Sequence, residues 1–231
     1  MSFDAPLPPY TASDSHATFL NVSCLDLLLI EMVPLAERMA RRAERIERGE
    51  EPREEDDGDC GVGGTKKGDG KKGRMQARRD EVDGGAAVLD EEVYRDAIFI
   101  RLDALGYRVG QGLSERFSRD RPRFLDNLDV IKFLCKDLWT ILFKKQIDNL
   151  KTNHRGVYVL TDNTFRPFLR MSMSNSNEAV AKAQPHLFFP CGIIRGALSS
   201  LGINATVQAE STDLPMAVFQ IKTLATAAAK P

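Results

Sequence analysis

The stretch LGYRVGQGLSERF, Leu105 to Phe117, sets Gly106, Gly110 and Gly112 beside two arginines. Glycines at such spacing can cradle a phosphate. A dinucleotide loop needs G-x-G-x-x-G directly after a strand and at the start of a helix. Gly110 and Gly112 supply the first pair, but the third position holds Glu115, whose carboxylate would repel a pyrophosphate. The preceding residues are not a strand either. Val93, Ala97, Ile98, Leu102 and Leu105 recur at the helical period, and Asp90, Glu91 and Glu92 sit where a helix start favours negative charge. The loop therefore reads as a helix–turn–helix corner. Gly106 closes one helix, Gly110 and Gly112 let a neighbouring backbone approach, and Leu113 and Phe117 open a short second helix.

Other chemistry is equally hard to assemble. Cys24, Cys60, Cys135 and Cys191 are far apart and form no C-x-x-C pair. In mostly apolar surroundings they read as reduced, buried thiols of a cytosolic protein. His16, His154 and His186 lack metal-ligand spacing. Asp103, Glu115 and Asp137 fall at ordinary solvent-facing helix positions. GVGGTKKGDGKKG looks loosely like a P-loop but never places Lys and then Ser or Thr in the required frame. Its lysines Lys66, Lys67, Lys71 and Lys72 could meet anionic lipid or act as a nuclear signal, though such runs are usually only solvated. The sequence thus predicts no catalytic residue, no cofactor and no metal.

Positioning these residues takes one domain plus tails. A net charge of -1 offers no field for nucleic acid. The N-terminus lacks a secretory signal, and no apolar run reaches the length of a membrane span. Residues 1–15 read as a disordered tail and 16–48 as the first helix, with Leu25, Leu28, Leu29, Met32, Leu35, Met39, Ala43 and Ile46 as its core stripe. Pro34 predicts a kink or a restart there. Residues 49–90, charged and glycine-rich with little to bury, read as a disordered insertion. Residues 91–223 complete the domain, and 224–231 form a frayed tail.

A third major helix follows the glycine corner, capped by Asp126 and apolar on most sides. Val157 to Leu160 then alternate as a strand, with Phe165 to Leu169 returning as its hairpin partner and Pro167 marking a free edge. MSMSNSNEAVAKAQ reads as a polar connector. HLFFPCGIIRGALSSLGI is a last helix closed by Gly202, with Gly192 and Gly196 forming a smooth packing face. INATVQAE and PMAVFQIKT make a second hairpin around Asp213. The order is that of an α+β domain.

GYRVGQGLSERFSRD, LDVIKFLCKDLWTILFKKQIDNLKTNHRGVYVLTDNTFR and CGIIRGALSSLGI resemble the small-subunit family of the TRAPP complex, the transport protein particle. Within it they are most similar to the subunit-six branch. The resemblance runs from about Phe99 to Ile221 and continues weakly into Leu25 to Val33. It implies helices packed on one face of a twisted antiparallel four-stranded sheet. It further implies a non-catalytic scaffold subunit of a cytoplasmic vesicle tether, held peripherally at Golgi and ER-to-Golgi membranes, whose complex promotes nucleotide exchange on a Rab GTPase. Subunit six pairs as a heterodimer with the paralogue that carries a fatty-acyl chain, beside other TRAPP subunits; a homodimer is possible in isolation. Where that paralogue bears the acylated cysteine, this chain has Arg121, which cannot form a thioester. Related microbial domains bind apolar ligands within this fold, so an apolar-ligand sensor is the alternative.

The family pairs through its first two helices. Here the first helix has more apolar surface than one core face can use, with Leu27, Ile30 and Val33 beside the main stripe. Tyr94 and Phe99 lie off the stripe of the second helix. These five residues are the expected partner-binding set.

Overall fold

The computed structural model describes residues 21–47, 84–119, 121–153, 155–171, 173 and 175–224. Helix α1 is Val22–Glu47, α2 is Gly84–Ser118, and α3 is Asn127–Phe133. A π-helical turn, Leu134–Leu138, joins α3 to α4, Trp139–Phe143. Strands β1, Asn149–Thr152, and β2, Val157–Asp162, precede α5, Ser176–Ala183, and α6, Phe188–Ser200. Strands β3, Ala205–Glu210, and β4, Ala217–Thr223, follow. The four strands form one antiparallel sheet in the order β1-β2-β4-β3.

Alternation decides which sheet face is covered. Tyr158, Leu160 and Asp162 of β2 and Ala217, Phe219 and Ile221 of β4 point into the core. Leu160 stands opposite Phe219, and Tyr158 opposite Ile221. The main core joins this face to α3, α4 and α6. Trp139 fills its centre, its ring 5.3 Å from Phe219 and 4.6 Å from Phe143. The indole N–H donates to the Asp162 carboxylate at 2.9 Å. Lys145 Nζ takes the other oxygen at 2.6 Å and also reaches Asp148 and Thr164. A fully buried carboxylate is thus partnered at both oxygens, which is what makes its burial tolerable. Burial works against the Lys145 ammonium, but its bonds to Asp162 and Asp148 outweigh that and hold its pKa above the ordinary value.

The glycine corner is not a corner. Helix α2 runs unbroken through Gly106, Gly110 and Gly112. A Cβ at Gly106 would strike the Phe189 carbonyl oxygen, and one at Gly110 that of Ile193. Reciprocally, Gly192 faces the Asp103 carbonyl and Gly196 that of Tyr107. Two pairs of glycines, each four residues apart, let α2 and α6 touch backbone to backbone. The gain from that contact outweighs the helix-propensity cost of glycine, about 1 kcal/mol per residue. The close approach expected for Gly110, Gly192 and Gly196 is therefore present, whereas Gly112 faces open space.

Three further expectations need correction, and the one at Pro34 is narrowed. The hairpin partner of β2 is β1, turned through Gly156 at φ +84°. Phe165 to Leu169 instead contains a short 3₁₀ turn, Arg166–Phe168, that Pro167 initiates and that buries Phe165 and Phe168. The polar connector contains α5, whose cap Asn175 accepts the Asn177 amide. Asp126 does stand at the α3 cap position, but its carboxylate makes no cap bond. Helix α1 passes Pro34 without a restart. The end of α6 is as expected: Gly202 at φ +84° donates to the Ser199 carbonyl and Ile203 to that of Leu198, which closes the helix. Helix α2 begins at Gly84, inside the segment expected to be an insertion; residues 48–83, like 1–20 and 225–231, lie outside the described residues.

Candidate partner-binding face

Helix α1 rests on the body through a small cluster of its own. Met32, Val33, Ala36 and Ala40 pack against Ile98 and Leu102 of α2, apart from the main core. Asp26 adds a two-pronged ion pair to Arg166, at 2.8 and 2.9 Å. Tyr94 adds polar contacts: its hydroxyl accepts from Arg41 Nε at 3.0 Å and donates to the Glu37 carbonyl at 3.3 Å.

The five expected partner residues divide on this geometry. Leu27 and Ile30 are exposed, at 65% and 45%. Val33 is not available: it is buried in the α1–α2 cluster. Tyr94 is half-buried against α1 and tied to it as described. Phe99 is partly exposed, with its ring edge-on to Phe188 at 5.1 Å. The structure therefore places Val33 and Tyr94 at the intramolecular contact, and leaves Leu27, Ile30 and part of Phe99 outside it.

A more continuous feature stands where the sequence predicted core. Leu28, Leu35, Met39 and Ile46 are all exposed, between 47% and 57%. At 3.6 residues per turn their spacing of seven, four and seven keeps them within about 20° of one line along the helix. The inward face, Leu29, Met32, Val33, Ala36 and Ala40, lies roughly a quarter-turn away. So α1 carries one apolar face for its own fold and a second, straight one facing outward. On α2, Val93 and Ile100 are likewise exposed. The single stripe expected along α1 thus divides: Leu29 and Met32 turn inward, while Leu28, Leu35, Met39 and Ile46 turn outward.

The residues with reactive side chains do structural work. Asp103 is not solvent-facing: it pairs with Arg195, whose guanidinium also stacks 4.4 Å over the Tyr107 ring. Asp137 pairs with Arg121, which lies 5.1 Å over the Phe133 ring. Burial pushes the Cys135 thiol up to about 12 and raises Cys191 further, the Asp103 charge adding to the latter. Neither is a ready nucleophile. Cys24, expected to be buried, is exposed on α1. His16, Cys60 and His154 lie outside the described residues. Among the described residues no group of His, Cys, Asp and Glu is arranged to hold a metal.

Residues 25–224 match the family model of the transport protein particle (TRAPP) component. The chain belongs to that family. It is 52% identical over 130 residues to human trafficking protein particle complex subunit 6B, covering 56% of this chain and 81% of that protein. It is 48% identical over 120 residues to human subunit 6A, covering 52% and 74%. An uncharacterized protein of Schizosaccharomyces pombe is 33% identical over 203 residues, covering 88% of this chain and 64% of that one. These relatives place the chain in the subunit-six branch of the TRAPP family. A solved structure of trafficking protein particle complex subunit 3 from Naegleria fowleri, covalently bound to palmitic acid, is 16% identical, with a TM-score of 0.47 over 61% of this chain and 90% of that one.

Proposed function

We propose that this TRAPP-family chain is a non-catalytic scaffold subunit of the vesicle-tethering complex, pairing as a heterodimer with the acylated paralogous subunit. The observation that carries the reading is the outward apolar line Leu28, Leu35, Met39 and Ile46 on a helix whose other apolar face is already used. Apolar surface of that length on an otherwise satisfied helix is the usual mark of a partner. Exposed Leu27, Ile30 and Phe99, with Val93 and Ile100, supply further apolar contacts on the same two helices.

The complex would act in ER-to-Golgi and Golgi transport and serve a Rab GTPase through other subunits, with this chain cytoplasmic and only peripherally at the membrane. Among the described residues no helix is long and apolar enough to cross a bilayer. Trp139, Phe143, Phe165 and Phe219 fill the interior beside the sheet, which favours a scaffold over the apolar-ligand sensor. Affinity purification of the tagged chain from its native cell, with partners identified by mass spectrometry, tests the reading. Recovery of the paralogue and further TRAPP subunits supports it, and their absence from a folded bait contradicts it. In a fluorescent-nucleotide release assay the purified chain alone is expected to leave the Rab off-rate unchanged.

A further inference from the structure

The helices cover one face of the sheet and leave the other open. Strand pairing fixes which residues share the open face. Lys151 of β1 stands opposite Val159 of β2, Val159 opposite Gln220 of β4, and Gln220 opposite Gln208 of β3. One rung further along, Val157 faces Lys222, which faces Thr206. Alternation turns all of these side chains away from Leu160, Phe219 and Ile221, and so away from the core. Arg155 stands in the β1–β2 turn at the same end of the sheet. Leu224, 58% exposed, extends β4 there through its amide bond to the Asn204 carbonyl.

This end of the face is cationic without compensation. Lys151, Arg155 and Lys222 are exposed, and none pairs with a carboxylate among the described residues. The carboxylates of the strands and their turns sit at the other end. Asp148 and Asp162 share Lys145, Glu210 ends β3, and Asp213 lies in the turn that follows. Glu210 is four residues beyond the Thr206 rung, about 14 Å along the strand.

The chemistry of the face selects its occupant. It carries no aromatic ring on which a base could stack, because Tyr158 turns inward. Its apolar members Val157, Val159 and Val218 are short and half-buried, so it offers neither the anchor nor the pocket of a protein hot spot. A flat set of cations around short apolar side chains matches a plane of anionic headgroups, which attracts Lys and Arg without a shaped pocket. We infer that this open end of the sheet contacts an anionic lipid bilayer directly. A partner on the outer line of α1 leaves the surface free, and the inference does not depend on that partner's identity.

Vesicle flotation of the full chain tests it, with phosphatidylcholine alone and with about one third phosphatidylserine added. Each cation at an anionic surface strengthens partition about fivefold. Lys151→Gln, Arg155→Gln and Lys222→Gln should therefore each weaken binding to the anionic vesicles about fivefold, and the triple variant roughly a hundredfold. All three side chains are exposed, so circular dichroism should be unchanged. A control triple on α2, Arg108→Gln, Arg116→Gln and Arg119→Gln, alters net charge equally and should bind within about twofold of the parent. The lysines Lys66, Lys67, Lys71 and Lys72 are common to all variants, so the differences report the sheet alone. Raising salt from about 0.1 M to 1 M, which shortens the screening length from about 10 to 3 Å, should remove the difference between parent and sheet variant. Equal losses in the two triples, or a sheet triple that binds as the parent does, overturns the inference. So does a parent that ignores the anionic vesicles, an outcome that would assign the cations to an acidic protein segment instead.

Discussion

Gly110 and Gly112 are two residues apart on one helix, and they should respond to alanine in opposite directions. A Cβ at Gly110 collides with the Ile193 backbone, which cannot rotate aside as a side chain could. Gly110→Ala must push α2 and α6 apart, and overpacking of this kind costs about 1–3 kcal/mol or more. Gly112 meets nothing within 4 Å. Gly112→Ala should gain about 0.5–1 kcal/mol through helix propensity and a less flexible unfolded chain. Urea unfolding of the two variants checks both signs. Asp162 supports a second prediction. Trp139→Phe removes the donor to one carboxylate oxygen while Lys145 still holds the other. An unsatisfied buried acceptor costs about 1–3 kcal/mol, plus the packing lost with the larger ring. The same denaturation experiment should show a lower midpoint for Trp139→Phe with an unchanged slope.

At the scale of elements, α1 is an arm held by a small cluster and one strong ion pair. The Arg166 hydrogen bond holds the Asp26 carboxyl below its ordinary 3.8, against an opposing effect of burial. That contribution is present above the ordinary carboxylate value and is lost as pH falls through the lower folded one. Asp26→Asn should thus be less stable than the parent at pH 7, and the gap should close as the pH is taken towards 2. A gap that persists in strong acid would mean the pair contributes shape rather than charge. Which elements could be read beforehand follows from where their constraint lies. The closure of α6 at Gly202 and the alternation of β2 are local signals, and both were legible. The run of α2 through three glycines was not, because local chemistry says turn, and only α6, some ninety residues on, supplies the contact that keeps the helix straight. The strand expected at Phe165 to Leu169 failed for a similar reason: its aromatic residues are buried by a 3₁₀ turn as readily as by a strand. In α1 the apolar period was plain. Its phase was not, since a helix with two apolar faces gives no sign of which one meets its own fold.

For the whole molecule, the sheet, the interlocked α2 and α6 and the aromatic centre form a packed unit, and α1 presents an unused apolar line on its outside. The central claim is that this line joins the chain to a paralogous subunit. Co-expression of the full chain with the acylated paralogue, followed by size-exclusion chromatography with light scattering, tests it most directly. The variants are Leu35→Glu and Met39→Glu, separately and together. Both side chains are about half exposed, so each change should leave the circular dichroism spectrum unaltered. The parent is expected to elute as a one-to-one heterodimer and the double variant as a folded chain separate from the paralogue. A folded double variant that still co-elutes at the parent's mass would contradict the account and move the interface off the outer line of α1.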